Sequence, residues 1–147
     1  MTVLLTGGDP ADGGPAVDRR LLRSRAVRLL RSLGRSGSEL SIALVDDATI
    51  ADLNARYRGK RGPTDVLAFS MLDGEDEAEA GDWLGDVVVS LDTAARQARR
   101  AHRSLDGVVA RLLIHGTLHL LGHDHERDEE ARAMRREERR LRRVIAA

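Results

Sequence analysis

The sequence predicts an α+β fold in a single domain of residues 1–147. Short apolar segments with alternating side chains, typical of strands, occur among longer segments with helical spacing. The two kinds of segment do not alternate strictly along the chain, which favours α+β over a parallel α/β sheet. A length of 147 residues, 41% of them hydrophobic, suits one core. The sequence shows no repeat and no second domain boundary.

The N-terminal part is predicted to contain a strand, a helix and a second strand. A short apolar start is interpreted as the first strand, and the Gly-, Pro- and Asp-rich residues 7–15 as a loop. Apolar side chains recur at helical spacing over Val17–Leu33, with arginines on the opposite face, which predicts a helix. Alternation over Leu40–Leu44 predicts the next strand.

A second helix and two further strands are predicted in the middle of the chain. Asp46 or Asp47 can cap a helix that runs to Tyr57 and ends at Gly59. The strands are predicted by two apolar, β-branched segments, Asp65–Met71 and Gly85–Leu91. The acidic segment between them, Leu72–Trp83, lacks the spacing of a calcium-binding loop and is interpreted as solvated.

Three helices are predicted in the C-terminal part. Asp92 or Thr93 can cap a polar helix that ends near Arg103. Ser104 then precedes a helix over Leu105–Leu121, which is apolar on nearly every face and is therefore predicted to be buried. The last helix is predicted from Glu126 onward, and its inward side chains are Ala131, Met134, Leu141 and Ile145.

Composition limits the classes of function. The 24 basic and 24 acidic side chains cancel, so a polyanion must be bound by a local patch, of which Arg56–Arg61 is the densest outside the last helix. The chain has no cysteine, which excludes thiolate metal sites and fits a cytoplasmic location. No segment has the length or flanks of a membrane span or signal peptide, so no membrane partner is expected.

Four of the five histidines lie within the eleven residues from His115 to His125. His115 and His119 are four residues apart on a predicted helix and therefore share a face. A straight helix would place His123 about 12 Å from His115, whereas nitrogens on one zinc ion lie within about 4 Å of each other. Gly122 is predicted to end the helix and reverse the chain, which favours His125 as the third ligand.

Two neighbours are alternatives as the third ligand, namely His123 and Asp124. Asp124 also suits a hydrogen bond that orients an imidazole. The His-x3-His-x5-His spacing, with a glycine before the last histidine, equals that of the metzincin peptidases, but Gly116 stands where those enzymes carry their glutamate base. Peptide hydrolysis is therefore a weaker alternative function.

Three segments occur in an order and at separations that resemble a known family. They are Leu53–Ser70 (LNARYRGKRGPTDVLAFS), Leu84–Ser90 (LGDVVVS) and His115–His125 (HGTLHLLGHDH). Together they resemble the YbeY family of bacterial metal-dependent endoribonucleases and rRNA maturation factors. The resemblance extends from about Leu40 through the C-terminal helix, and one departure is His123, where the family usually has tyrosine.

The resemblance implies both a fold and a site. The fold is a small α+β domain with a mixed sheet of about four strands flanked by helices, and the metal-binding helix lies beside a cleft. His115, His119 and His125 would bind one zinc ion, and Arg58 would serve catalysis. The implied function is a zinc-dependent, single-strand-specific endoribonuclease in rRNA maturation, ribosome assembly and quality control.

The expected substrate is single-stranded rRNA, and the expected partners are a ribosomal subunit or ribosome-associated proteins. The only aromatic side chains are Tyr57, Phe69 and Trp83, too few for a base-stacking platform, so recognition should depend on the RNA backbone and its shape. The alternative from another functional class is a non-catalytic ribosome-assembly factor stabilised by its metal. A fourth protein ligand would favour that alternative, because structural zinc sites are closed.

Overall fold

The computed structural model describes residues 2–71, 82–123 and 126–146, which form four strands and five α-helices. The strands are β1 (Thr2–Thr6), β2 (Glu39–Val45), β3 (Val66–Ser70) and β4 (Trp83–Ser90). The helices are α1 (Arg19–Ser32), α2 (Asp47–Arg58), α3 (Leu91–Ala101), α4 (Leu105–Leu120) and α5 (Asp128–Ala146). Most of the predicted acidic loop, residues 72–81, lies outside the described residues.

The four strands form one mixed sheet in the order β1-β2-β4-β3. β2 pairs parallel with both β1 and β4, and β3 pairs antiparallel with β4 at one edge. One face of the sheet packs against α2 through a small cluster around Ile50, Leu67 and Val88. The larger core on the other face includes side chains from the remaining helices, so the predicted α+β class is confirmed.

The element bounds agree with the sequence to within a few residues, and the differences have local causes. α1 begins at Arg19 because the Asp18 carboxylate accepts a hydrogen bond from the Leu21 amide. The prediction that Asp92 or Thr93 caps α3 was wrong. Ser90 is the cap, since its hydroxyl accepts from the Thr93 amide, while the Asp92 carboxylate accepts from the Asp47 amide at 3.0 Å.

α4 is the central helix of the larger core, as its apolar composition predicts. Ser104 caps it by accepting a hydrogen bond from the Gly107 amide at 3.0 Å. From Val108 to Leu120, every residue except Arg111, His115 and His119 is buried. Arg111, His115 and His119 therefore mark the side of α4 on which polar chemistry can occur.

Within the described residues, no helix combines the length and apolar character needed to cross a membrane.

Candidate active site

α4 ends one residue after His119, at Leu120, in a cap that depends on Gly122. The His119 carbonyl accepts a hydrogen bond from the Gly122 amide, and the Leu118 carbonyl accepts one from the His123 amide, both at 3.0 Å. This pair of bonds forms a Schellman motif, which requires a left-handed residue at the position of Gly122, where φ is +92°. The prediction that Gly122 ends the helix is confirmed, so His123 does not continue the face that carries His119.

The His115 and His119 rings lie against each other with their Nε2 atoms 3.2 Å apart. Two ligand nitrogens on a tetrahedral zinc ion, at about 2.0–2.1 Å from the metal, are about 3.3 Å apart. The pair therefore fits two positions of one zinc site. The same separation also suits an N–H···N hydrogen bond between the rings. The carboxyl-terminal turn of a helix, where His119 lies, favours a nearby positive charge.

The third ligand stays a prediction, because His125 and its alternative Asp124 both lie outside the described residues. Over residues 2–71, 82–123 and 126–146, no three histidine, aspartate or glutamate side chains are grouped to hold an ion.

His123, the other alternative ligand, interacts electrostatically with Glu137 on α5. The hydrogen bond from Arg140 lowers the pKa of Glu137, and His123 adds a smaller electrostatic lowering. His123 is thus near α5, and it does not belong to the described lining of the cleft that holds His115 and His119.

A carboxylate that sequence reasoning missed lies behind His115. The Nδ1 atom of His115 is 3.3 Å from Oε1 of Glu138, and these side chains are 34% and 23% exposed. When Nδ1–H of His115 donates a hydrogen bond to Glu138, the Nε2 lone pair is directed toward His119, the arrangement typical of metal-binding histidines. A signal was present in the sequence, since Glu138 falls on the inward face of α5 between Met134 and Leu141.

Arg58 lies in the same cleft as the two histidines. The cleft has a volume of about 600 Å³ and lies between β3, the end of α2 and α4. Arg58 is the last residue of α2, and its Nη2 atom donates to the Ala68 carbonyl of the edge strand β3 at 2.6 Å. Its guanidinium carbon lies 5.7 Å from the centre of the Phe69 ring. These contacts hold the cation at the cleft, and within the described part of the chain its other N–H groups form no hydrogen bond.

The loop after Arg58 is fastened to α2 by Asn54, which sequence reasoning also missed. Asn54 is only 5% exposed, and its side-chain amide donates to the Gly62 carbonyl at 3.0 Å. Its backbone carbonyl accepts from the Lys60 amide at 3.3 Å. Lys60 lines the cleft, so part of the predicted basic patch lies in the same cleft as the histidines. An amide one helical turn after the buried Ile50 is the signal that could have identified Asn54.

Asp65 forms part of the wall between β3 and α3. Its carboxylate accepts from the Gln97 side chain at 3.0 Å and from the Val66 amide at 2.8 Å. Its backbone carbonyl accepts from the Ser90 amide at 2.9 Å. Asp65 therefore joins the start of β3 to the end of β4 and to α3, and it orders the cleft wall through these bonds.

Gly116 lies where α4 packs directly on the sheet. A Cβ atom at this position would be 2.8 Å from Cγ1 of Val87 and 3.2 Å from Cγ2 of Val66. Both neighbours are β-branched strand residues, which have little freedom to move. The packing therefore leaves no room for the glutamate that the metzincin peptidases carry at this place.

We expect Gly116→Ala to lower the free energy of unfolding by about 1–2 kcal/mol, because overpacking costs about 1–3 kcal/mol and helix propensity returns at most about 1 kcal/mol. Urea denaturation measures this change. The control is Gly37→Ala, since a Cβ atom at Gly37 meets nothing within 4 Å. Equal stability of the Gly116→Ala variant and the wild type would show that α4 does not need this close approach.

Comparison with known proteins identifies similar chains. Residues 18–145 match the family profile described as Endoribonuclease YbeY. A protein named Endoribonuclease YbeY from Anaeromyxobacter sp. (strain Fw109-5) is 48% identical over 98% of this chain and 72% of its own length. One of the same name from Carboxydothermus hydrogenoformans is 48% identical over 85% of this chain and 86% of its own.

The fold also resembles a solved structure. The solution structure of TM1509 from Thermotoga maritima superimposes with a TM-score of 0.66, covering 99% of this chain and 89% of that one. The two sequences are 24% identical, so this likeness concerns the fold alone.

Proposed function

Because the chain belongs to the Endoribonuclease YbeY family, we propose that it is a zinc-dependent endoribonuclease that cleaves single-stranded RNA during rRNA maturation, ribosome assembly and quality control. One observation carries the proposal, namely the common cleft of Arg58, His115 and His119. A cation that can hold a phosphate thus faces a pair of imidazoles that can hold a metal ion, and phosphodiester cleavage uses both groups.

In the proposed site, His115, His119 and His125 hold one zinc ion. When bound, zinc supplies a Lewis acid that can neutralise a phosphoryl oxygen and acidify water. Glu138 accepts a hydrogen bond from Nδ1–H of His115 and so fixes the tautomer that presents Nε2 to the ion. Three protein ligands leave a coordination position open, as catalytic zinc sites require.

The proposed role of Arg58 is to bind the scissile phosphate. Its guanidinium is held by the Ala68 carbonyl and lies over Phe69, so little reorganisation is needed when RNA enters. The fork geometry of a guanidinium matches two phosphate oxygens, and preorganised donors act most strongly on charge that develops in the transition state. Lys60, also in the cleft lining, adds a second positive charge for the backbone.

The alternative function is binding without catalysis, as a metal-stabilised factor on a ribosomal subunit. It requires a fourth protein ligand that closes the zinc site.

The experiment that separates the two functions compares the wild type with the His115→Ala and Arg58→Ala variants. Cleavage of single-stranded rRNA and zinc content are measured for each protein. Cleavage that depends on both residues supports the proposed enzyme, whereas equal cleavage by all three proteins rules it out. Parallel incubation with casein tests the metallopeptidase alternative.

We expect Glu138→Gln to weaken zinc binding by about 10- to 100-fold, because loss of a carboxylate that orients a metal-binding histidine has this cost. Competition with a chromophoric chelator measures the affinity without reference to activity. Glu129→Gln is the matched control, since it removes the same charge from an exposed position near the start of α5. Equal zinc affinity of the two variants would exclude Glu138 from this positioning role.

A further inference from the structure

Three cavities follow one another along α4. The cleft of about 600 Å³ shares His115 and Asp65 with a second cavity of about 420 Å³. The second cavity shares Arg103 and Arg111 with a third, of about 310 Å³, near the start of α4. From His119 back to Gly107, which lines the third cavity, α4 spans about 18 Å at about 1.5 Å per residue. The three cavities are thus adjacent and form a path along α4 that leads away from the proposed metal site.

The third cavity is strongly basic. Its described lining contains four arginines and no carboxylate: Arg25, Arg103, Arg111 and Arg142. In the part of the chain that the structure describes, Arg103, Arg111 and Arg142 form no ion pair. Because the chain as a whole has a formal net charge of zero, this cluster is a local feature and does not follow from composition.

The acidic residues along the path are engaged elsewhere. In the second cavity, Glu138 faces Nδ1 of His115, and the Asp65 carboxylate accepts hydrogen bonds from Gln97 and the Val66 amide. Within residues 2–71, 82–123 and 126–146, neither carboxylate pairs with Arg103 or Arg111 at the junction of two cavities, so these arginines can bind an external anion. Free guanidinium groups bind phosphate oxygens in bidentate geometry.

We propose that these four arginines, the arginine track, bind the phosphate backbone of single-stranded RNA on one side of the scissile bond. This inference rests on the proposed function, because the path begins at the proposed zinc site. The track lining includes apolar Ile114 and Ile145 but no aromatic ring, so it binds backbone without base stacking. The arginine track therefore makes the proposed enzyme favour RNA that is long enough to extend from the cleft to the start of α4.

The test compares the double variant Arg103→Gln/Arg111→Gln with Arg99→Gln/Arg100→Gln. The second pair removes the same charge from exposed positions on α3 that line none of the three cavities. Fluorescence anisotropy at several salt concentrations measures binding to 2′-O-methyl RNA, which keeps the phosphodiester backbone and resists cleavage. Two probes are compared, a long RNA of more than about 16 nucleotides and a short RNA of about 4 nucleotides.

For the longer RNA, we expect the Arg103→Gln/Arg111→Gln variant to bind about 10- to 100-fold more weakly than the wild type. The slope of log K against log salt is negative, and its magnitude should decrease by about 1.4 in the variant. This is about 0.7 for each of the two phosphates of a single strand that the variant no longer neutralises. The short RNA should bind the variant and the wild type equally, and the control should match the wild type on both probes. Arg111→Lys, which keeps the charge, should restore most of the slope.

An unchanged slope, or an equal loss on the short and long RNA, would overturn the arginine track. Weaker binding to a ribosomal subunit with unchanged binding to long RNA would also overturn it and would indicate a protein partner. If the double variant is unfolded by circular dichroism, Arg103→Gln alone decides, with an expected slope change of about 0.7. Failure of the proposed function is distinguishable, because it would show as absent zinc and absent cleavage in the wild type, whichever way the slopes fall.

Discussion

His115→Ala is expected to lose both bound zinc and RNA cleavage. The substitution removes one Nε2 of the 3.2 Å pair and leaves the Glu138 carboxylate without its imidazole partner. Because loss of an outer carboxylate costs about 10- to 100-fold in metal affinity, loss of a direct ligand should exceed about 100-fold. Zinc content by mass spectrometry and cleavage of a single-stranded rRNA fragment measure the two losses.

The control for this prediction is His102→Asn. His102 is exposed, ends α3 with a left-handed φ of +53° and lines none of the three cavities, and asparagine tolerates this conformation. The control should keep both zinc and cleavage. A folded His115→Ala protein that still cleaves RNA at the wild-type rate would contradict the proposed metal chemistry.

Arg58→Ala is expected to keep zinc and to lower the cleavage rate by about 10²–10³-fold, the usual cost of removing one preorganised donor from a developing charge. Zinc should be retained because the contacts of Arg58 are with Ala68 and Phe69 of β3, and neither residue is a proposed zinc ligand. Single-turnover cleavage, with the enzyme in excess of the RNA and above the dissociation constant of the complex, separates this loss from weaker binding.

Arg56→Ala is the matched control for Arg58→Ala. Arg56 lies two residues earlier on α2 and pairs with Asp52 at an exposed position, where ion pairs contribute little. The control should therefore reduce cleavage by much less than Arg58→Ala. If both variants retain the wild-type rate, Arg58 has no part in the reaction.

Local chemistry made much of this fold and site predictable. The end of α4 follows from Gly122, since only a left-handed residue completes the two hydrogen bonds that close the helix. The start of α2 follows from Asp46, whose carboxylate accepts from the Thr49 amide at 2.8 Å. The pairing of His115 with His119 follows from their spacing of one helical turn.

Features that depend on distant pairing were not predictable from one sequence. The insertion of β4 between β2 and β3 brings together segments that are far apart in the chain. Glu138 reaches His115 across 23 residues, only because α5 packs against α4. The absence of a side chain at Gly116 was interpreted from a motif comparison, but its physical cause, contact with Val87 and Val66, is visible only in the packed structure.

The most direct test of the central claim is a zinc titration of chelator-stripped protein, with RNA cleavage followed at each zinc concentration. The wild type should recover cleavage in proportion to bound zinc and saturate near one ion per chain. Arg58→Ala should bind zinc equally while staying nearly inactive, and His115→Ala should gain neither zinc nor activity. Full cleavage by zinc-free wild type, in preparations whose contaminating nucleases are excluded by an inactive mock purification, would contradict the account.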